Sequence, residues 1–204
     1  MQYLIRATPL YNLIRMSADN NLDKRVLDCG AGGSMPPLYL FHSLGYETAG
    51  IEIDEGQIAK ARAFCEANAV DLNIQKGDMR RLPFADHSFG VVYSYNSIFH
   101  MTKADIAASI HEMVRVLKLG GLCYFNLLSA EDDGYGEGRE LNTGEFVQAE
   151  GDGEVIHSYF GDGEIDGVIR HAGIIYKEKR SIYMYADDEV YHPVYLDYIV
   201  KKIN

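Results

Sequence analysis

From Asp23 to Ser129 the chain alternates short apolar runs with amphipathic stretches. The runs KRVLDC, YETAGIE, DLNIQK, FGVVYSY and GLCYFNLLS have the length and residue types of strands, and five strands are predicted there. Helical patterns fill most of the gaps: Pro36 to Leu44, ending at Gly45; Glu55 to Ala69; and Lys103 to Leu117, ending at Gly120 and Gly121. In the last of these, Ile106, Ile110, Val114 and Leu117 share one face, and Thr102 stands where an N-cap is needed. Strand and helix in alternation predict a parallel sheet covered on both faces.

Beyond Ser129 the pattern breaks. Eight glycines between Gly134 and Gly163 interrupt any period, so residues 130–161 read as a long acidic, glycine-rich loop. Asp162 to His171 reads as a helix. The tail AGIIYKEKRSIYMYADDEVYHPVYLDYIVKK reads as two antiparallel strands around a turn at Ala186 to Glu189, at a sheet edge.

Charge sharpens the division. The 204 residues carry a formal charge of -11, and the segment from Glu131 to Asp166 alone holds twelve acids against Arg139. The remainder is balanced and shows no basic patch, so nucleic acid and membrane surfaces are not expected partners. The acidic segment has two readings, steering of a cationic ligand or a merely solvated face. Cys29, Cys65 and Cys123 are far apart in mostly apolar surroundings, which fits reduced thiols and neither a disulfide framework nor a metal site. With no signal-like leader and no apolar run of about 18 residues, a cytoplasmic protein is expected.

The densest local chemistry is VLDCGAGGS, Val26 to Ser34, where a strand ends in Asp28 and enters a bend containing Gly30, Gly32 and Gly33. Glycine lets backbone approach a ligand closely and tolerates positive φ. A dinucleotide fingerprint fails because its third glycine position is Met35, and because Pro36 and Pro37 remove two N–H donors where a pyrophosphate would sit. A P-loop fails because no Lys-Ser or Lys-Thr follows.

The stretch resembles the acidic D-x-G-x-G motif of class I S-adenosylmethionine-dependent methyltransferases. Three further segments resemble that family in the same order: AGIEIDEGQI with Glu52, GDMRRLPFADHSFGVVYS with Asp78, and EMVRVLKLGG from Glu112 to Gly121. Gly90 departs from the pattern, standing where the family has aspartate. The resemblance implies a Rossmann-like, doubly wound α/β fold with a mostly parallel seven-stranded sheet and an antiparallel C-terminal strand. It implies a single domain over 1–204, with a cofactor-binding core at 22–129, the acidic loop at 130–161 as a candidate substrate cover, and a C-terminal helix and strand pair at 162–204.

The resemblance also implies S-adenosyl-L-methionine as cofactor, S-adenosyl-L-homocysteine as product, and a cofactor site of Tyr11, Asp28, Gly30, Ala31, Gly32, Glu52, Ile53, Asp78, Met79, Ser94 and Tyr95. In it, Glu52 would accept from the ribose hydroxyls and Asp78 from the adenine amino group. Other readings stay open: Asp28 as an acid that organises the loop, Glu52 as a cap near Asp54, and Asp78 as a turn residue.

Ligands of open α/β sheets bind beyond the carboxyl ends of the strands. That places Asn96, His100, His157 and Tyr159 as candidates to meet the methyl acceptor, with His100 the candidate catalytic residue. His100 reads equally as a packing or capping residue, and His157 and Tyr159 as anchors of the acidic segment. No metal is expected. The preferred function is methyl transfer to a small molecule by a monomer or homodimer. The alternatives are a non-catalytic binding protein of the same fold and a methyltransferase of protein or nucleic acid.

Overall fold

The computed structural model describes residues 8–151, 153–186 and 189–204. Five parallel strands form the first part of the sheet: β1 (Arg25–Cys29), β2 (Glu47–Glu52), β3 (Ile74–Lys76), β4 (Phe89–Ser94) and β5 (Leu117–Ser129), in the spatial order β3-β2-β1-β4-β5. The C-terminal strand β12 (Val194–Lys202) lies antiparallel against β5, and β9 (Ala172–Ser181) lies antiparallel against β12. The mostly parallel sheet with an antiparallel C-terminal strand is as the sequence implied, but three further strands joined at the tip of β5 bring it from seven strands to ten.

Helices α1 (Thr8–Asp19), α2 (Leu38–Ser43) and α3 (Glu55–Asn68) contribute to the core on one face, and α4 (Lys103–Val116) to that on the other. Along β4 the two-residue period sorts the side chains: Val91 and Tyr93 join Leu10, Leu13 and Phe41, while Val92 joins Ile106, Ile110 and Met113. All six residues of β4 are buried, as expected of a central strand covered on both sides. Thr102 caps α4, its hydroxyl accepting from the Asp105 N–H at 3.2 Å. Asp54 caps α3, accepting from Gln57 at 2.7 Å. Gly90 has a packing reason, since a Cβ there would fall 2.1 Å from the Asp23 carbonyl oxygen.

Four expectations are corrected. The segment 130–161 is not one loop: β6 (Arg139–Asn142), β7 (Glu145–Glu150) and β8 (Gly153–Phe160) form an antiparallel meander whose end pairs with the tip of β5. Its glycines punctuate turns, with φ of 75° at Gly144 and 58° at Gly151, and Phe146 and Tyr159 build a small core with Phe99 and Leu128. The helix expected over Asp162 to His171 is a single 3₁₀ turn, Asp166–Val168. Gly163 adopts φ 81°, and Glu164 and Asp166 are drawn into ion pairs with Lys103 and Lys177. Gly120 and Gly121 do not end α4; they lie within β5 beside a register shift against β4. The third strand is only Ile74–Lys76, because Asp71 accepts from the Asn73 N–H at 2.8 Å in a turn with Asn73 at φ 54°.

The tail is a pair of strands as expected, extended by a second small hairpin, β10 (Met184–Ala186) and β11 (Glu189–Tyr191). Residues 187–188 of its turn lie outside the described residues. Among those described, no helix is long and apolar enough to cross a membrane.

Candidate active site

A cleft of about 980 Å³ opens beyond the carboxyl ends of β1 to β4. The bend after β1 forms its floor. Gly30 has φ 101°, and a Cβ there would lie 2.1 Å from Ser97 Oγ; one on Gly32 would lie 2.5 Å from Gln57 Cβ. Glycine is therefore required at both positions because neighbouring segments close on the bend.

The bend's own N–H groups are spent within the protein. Gly30 and Ala31 both donate to the Ile51 carbonyl at 2.9 Å, Gly32 to Glu52 Oε2 at 3.2 Å and Gly33 to the Gln57 carbonyl at 3.1 Å. Pro36 and Pro37 bring no donors to the start of α2. Gly30 and Gly32, the residues of this bend that line the cleft, thus offer it no free amide of the kind that holds a phosphate. The charged lining is acidic: Glu52, Asp54, Asp78, Asp105, Glu150 and Glu154 stand against Arg80.

Glu52 sits at the tip of β2 and lines the cleft. Its carboxylate accepts from Gly32, from Ile53 at 2.8 Å and from Asp54 at 3.0 Å, three of roughly four acceptor positions. It is not the helix cap, a role taken by Asp54. Asp78 and Met79 also line the cleft. The Asp78 carboxylate is gripped by Arg80, with Nη2 at 2.7 Å and Nε at 3.0 Å, and these bonds hold its pKa below the usual carboxylate range.

Asp28 is placed differently. It is 1% exposed and lies beneath the bend, accepting from the Tyr93 hydroxyl at 2.7 Å. Burial pushes its pKa up to about 8, opposed by the Tyr93 bond and assisted by the charge of Glu52. Asp28 is not among the residues that line the cleft, and its hydrogen bond runs to Tyr93 on β4. Tyr11 on α1 is 46% exposed, and Ala31 and Ser94 are wholly buried; none of these three lines the cleft.

Tyr95, Asn96 and His100 line the end farther along the β4 loop. Asn96 is held at φ 52° by a reciprocal pair, its N–H donating to Asn126 Oδ1 at 2.8 Å and its Oδ1 accepting from Asn126 Nδ2 at 2.7 Å. Burial lowers the His100 pKa to about 4, so the imidazole is neutral at pH 7. His157 stacks edge-on behind it, ring centres 4.7 Å apart, and Tyr159 is turned away to bond Gln148. Tyr159 is therefore an anchor of the meander.

Sequence reading passed over several lining residues. Glu150, Gly153 and Ile156 reach the cleft because β7 and β8 fold over it. The signal was two strand-like runs, EFVQAE and EVIHSYF, flanking Gly-Asp-Gly. Ser97, Gln57 and Arg80 carry no such signal individually.

Residues 27–125 match the family described as "Methyltransferase domain". Over these residues the chain carries the domain of the class I S-adenosylmethionine-dependent methyltransferases. This methyltransferase is 32% identical over 100 residues to a sterol 24-C-methyltransferase of Gibberella zeae, covering 48% of the chain and 26% of that relative. It is 30% identical over 114 residues to methyltransferase GfsG of Streptomyces halstedii, covering 55% and 39%. The chain spans less than half the length of these curated relatives. A solved S-adenosylmethionine-dependent methyltransferase of Methanosarcina mazei superimposes with a TM-score of 0.71 at 21% identity, covering 88% of this chain and 92% of that one.

The family's cofactor is S-adenosylmethionine, and the cleft suits it. An acidic lining with no amide nest favours a cationic sulfonium over a pyrophosphate. Glu52 and Asp78 are the residues at the strand tips that would hold the nucleoside.

Proposed function

We propose that this methyltransferase transfers a methyl group to a small-molecule acceptor bound between the β4 loop and the β7–β8 hairpin. The single observation that carries the reading is the cleft itself, with spent loop amides and six acids against one guanidinium. When bound, S-adenosylmethionine supplies an electrophilic methyl group on a positively charged sulfur. The chain's part is to bind, orient and exclude water. Glu52 holds the ribose end, Asp78 and Met79 the base end, and Gly30 and Gly32 keep the floor low. Tyr95 and Asn96 flank the methionine end, with Asn126 fixing the Asn96 amide. His100, neutral at pH 7, faces the acceptor. The meander acts as a cover anchored at its base.

A small acceptor is favoured over nucleic acid by the net charge of -11 and the acidic lining. Three free cysteines, two of them buried, suit a reducing cytoplasm.

Calorimetry with S-adenosylmethionine and with NAD tests the cofactor half: binding of NAD without the sulfonium overturns it. A panel of amines, thiols, carboxylates and phenols, scored for release of S-adenosylhomocysteine, tests the acceptor half. Turnover only with peptide or nucleic acid would sink the small-molecule reading.

A further inference from the structure

At the acceptor end of the cleft the β7–β8 hairpin brings three metal-ligating side chains together from separate segments. His100 lies on the β4 loop, Glu150 at the end of β7 and His157 on β8. Glu150 Oε2 is 3.9 Å from His100 Nδ1 and 4.0 Å from His157 Nε2, and one ligand atom from each residue lies within 4.8 Å of the others. Metal bonds of about 2.1 Å put tetrahedral ligands about 3.4 Å apart, so the set closes on an ion through rotation of the exposed Glu150 side chain together with small turns of the two imidazole rings.

Two further observations set the cluster apart from a chance meeting of polar groups. Nδ1 of His100, the nitrogen that faces Glu150, is buried with no hydrogen-bond partner among the described residues, a costly state for an imidazole nitrogen unless something outside the protein chain satisfies it. The two segments are also stitched together. The Ser158 N–H donates to the Phe99 carbonyl at 3.0 Å, Ser158 Oγ to the Met101 carbonyl at 2.6 Å, and the Lys103 N–H to Glu145 Oε1 at 2.6 Å. Phe99 packs against both rings, 4.6 Å from His100 and 6.3 Å from His157. The histidines are therefore held on a fixed frame, while the carboxylate on the hairpin tip is free to adjust.

We propose that His100, Glu150 and His157 form a site for a divalent transition metal of the Zn²⁺ type, open toward the cleft, which binds the methyl acceptor through an ionisable oxygen or sulfur. Two imidazoles and a carboxylate are a borderline donor set that suits Zn²⁺ and disfavours Mg²⁺ or Ca²⁺. Three protein ligands leave coordination positions for an exogenous group, the arrangement of reactive sites as opposed to closed structural ones. His100 and Glu150 line the cleft, so those positions face the acceptor. The acceptor O–H or S–H loses its proton to water as its lone pair binds the ion. The metal site stands on its own geometry; the acceptor class rests on the methyl-transfer reading.

Chelator-treated protein is titrated with Zn²⁺ by calorimetry and with Co²⁺ by visible absorption. One equivalent is expected to bind, and His100→Ala, His157→Gln and Glu150→Gln are each expected to weaken binding by more than about tenfold, the lower end of what even outer-shell losses cost. Glu150 is exposed at a hairpin end, so its variant tests the site without a demand on folding. β-Mercaptoethanol added to the Co²⁺ form is expected to produce a new thiolate-to-metal absorption. Absence of metal binding, or binding unchanged in all three variants, overturns the site; absence of the thiolate band overturns its open positions. S-adenosylmethionine calorimetry on the same samples keeps the readings separate, since cofactor binding without metal sinks this inference alone and metal binding without cofactor sinks the methyl-transfer reading alone.

Discussion

Glu52 and Gly32 hold each other in place: the Gly32 N–H donates to Glu52 Oε2 at 3.2 Å, and a Cβ on residue 32 would fall 2.8 Å from that same oxygen. The ribose-end carboxylate and the cofactor bend are thus one unit. Gly32→Ala would also drive a methyl group to 2.5 Å from Gln57 Cβ, which no flexible side-chain end relieves. Both Gly32→Ala and Glu52→Ala are expected to weaken S-adenosylmethionine by about 1 to 3 kcal/mol, the range for a charged hydrogen bond or an unsatisfied group. Calorimetry that returned wild-type affinity for Glu52→Ala would remove Glu52 from the cofactor site.

Arg80 competes for the group that should face the adenine. Its guanidinium occupies both oxygens of Asp78 and is 3.3 Å from Asp105, in a partly exposed position where an ion pair contributes about 0 to 1 kcal/mol. Arg80→Ala frees the carboxylate and removes the cation from the acidic lining. The expected result is cofactor affinity raised up to about fivefold, with Asp78→Asn lowering it. A weaker cofactor in Arg80→Ala would give Arg80 a ligand contact of its own.

The core of the sheet was readable because its residues obey one local rule at a time. Val91, Val92 and Tyr93 are apolar whichever face they meet, so strand β4 announces itself, and Thr102 caps α4 through a contact three residues away. The meander does not read as strands because Gly144 and Gly151 look like breakers in sequence, whereas their left-handed φ makes the turns that let β6 pair with β7 and β7 with β8. At the site, Glu52 and Asp78 follow from the segments that resemble the family's, and both line the cleft. Asp28 does not: only the three-dimensional contact with Tyr93, 65 positions later, shows that it is buried beneath the bend. Glu150 and His157 meet His100 through the same long-range folding of the meander.

The burial of Asp28 has a pH signature. Its pKa of about 8 in the folded chain lies above the ordinary 3.8, so between those values the unfolded chain has lost the proton and the folded chain keeps it. Folding stability from this group is complete below pH 4 and declines as pH rises toward 8, by at most about 1.4 kcal/mol per unit. Asp28→Asn removes the titration. The difference in unfolding free energy between wild type and variant, measured by denaturant from pH 4 to 9, is expected to shift in favour of the variant as pH rises and to level off above 8. A difference independent of pH would mean that Asp28 is ionised in the folded protein.

A buried ion pair between β9 and β12 bears on the acceptor end of the cleft. Asp197 on β12 is fully buried, accepts from Tyr124 Oη at 2.6 Å and pairs with Arg180 Nε at 2.8 Å across the β9–β12 ladder. In the β12–β5 register Asp197 stands opposite Asn126, the residue that orients Asn96 in the cleft. Arg180→Met keeps the bulk of the stem and strands the carboxylate, which is expected to cost about 3 to 5 kcal/mol. Adding Asp197→Asn removes the uncompensated charge and is expected to restore part of that loss, although breaking a paired carboxylate alone destabilises. If the pair serves the site as well as the fold, the double variant regains stability yet keeps a loosened Asn126–Asn96 contact, read as cofactor affinity near wild type with slower methyl transfer. Equal recovery of stability and turnover would confine Arg180 and Asp197 to holding the sheet edge.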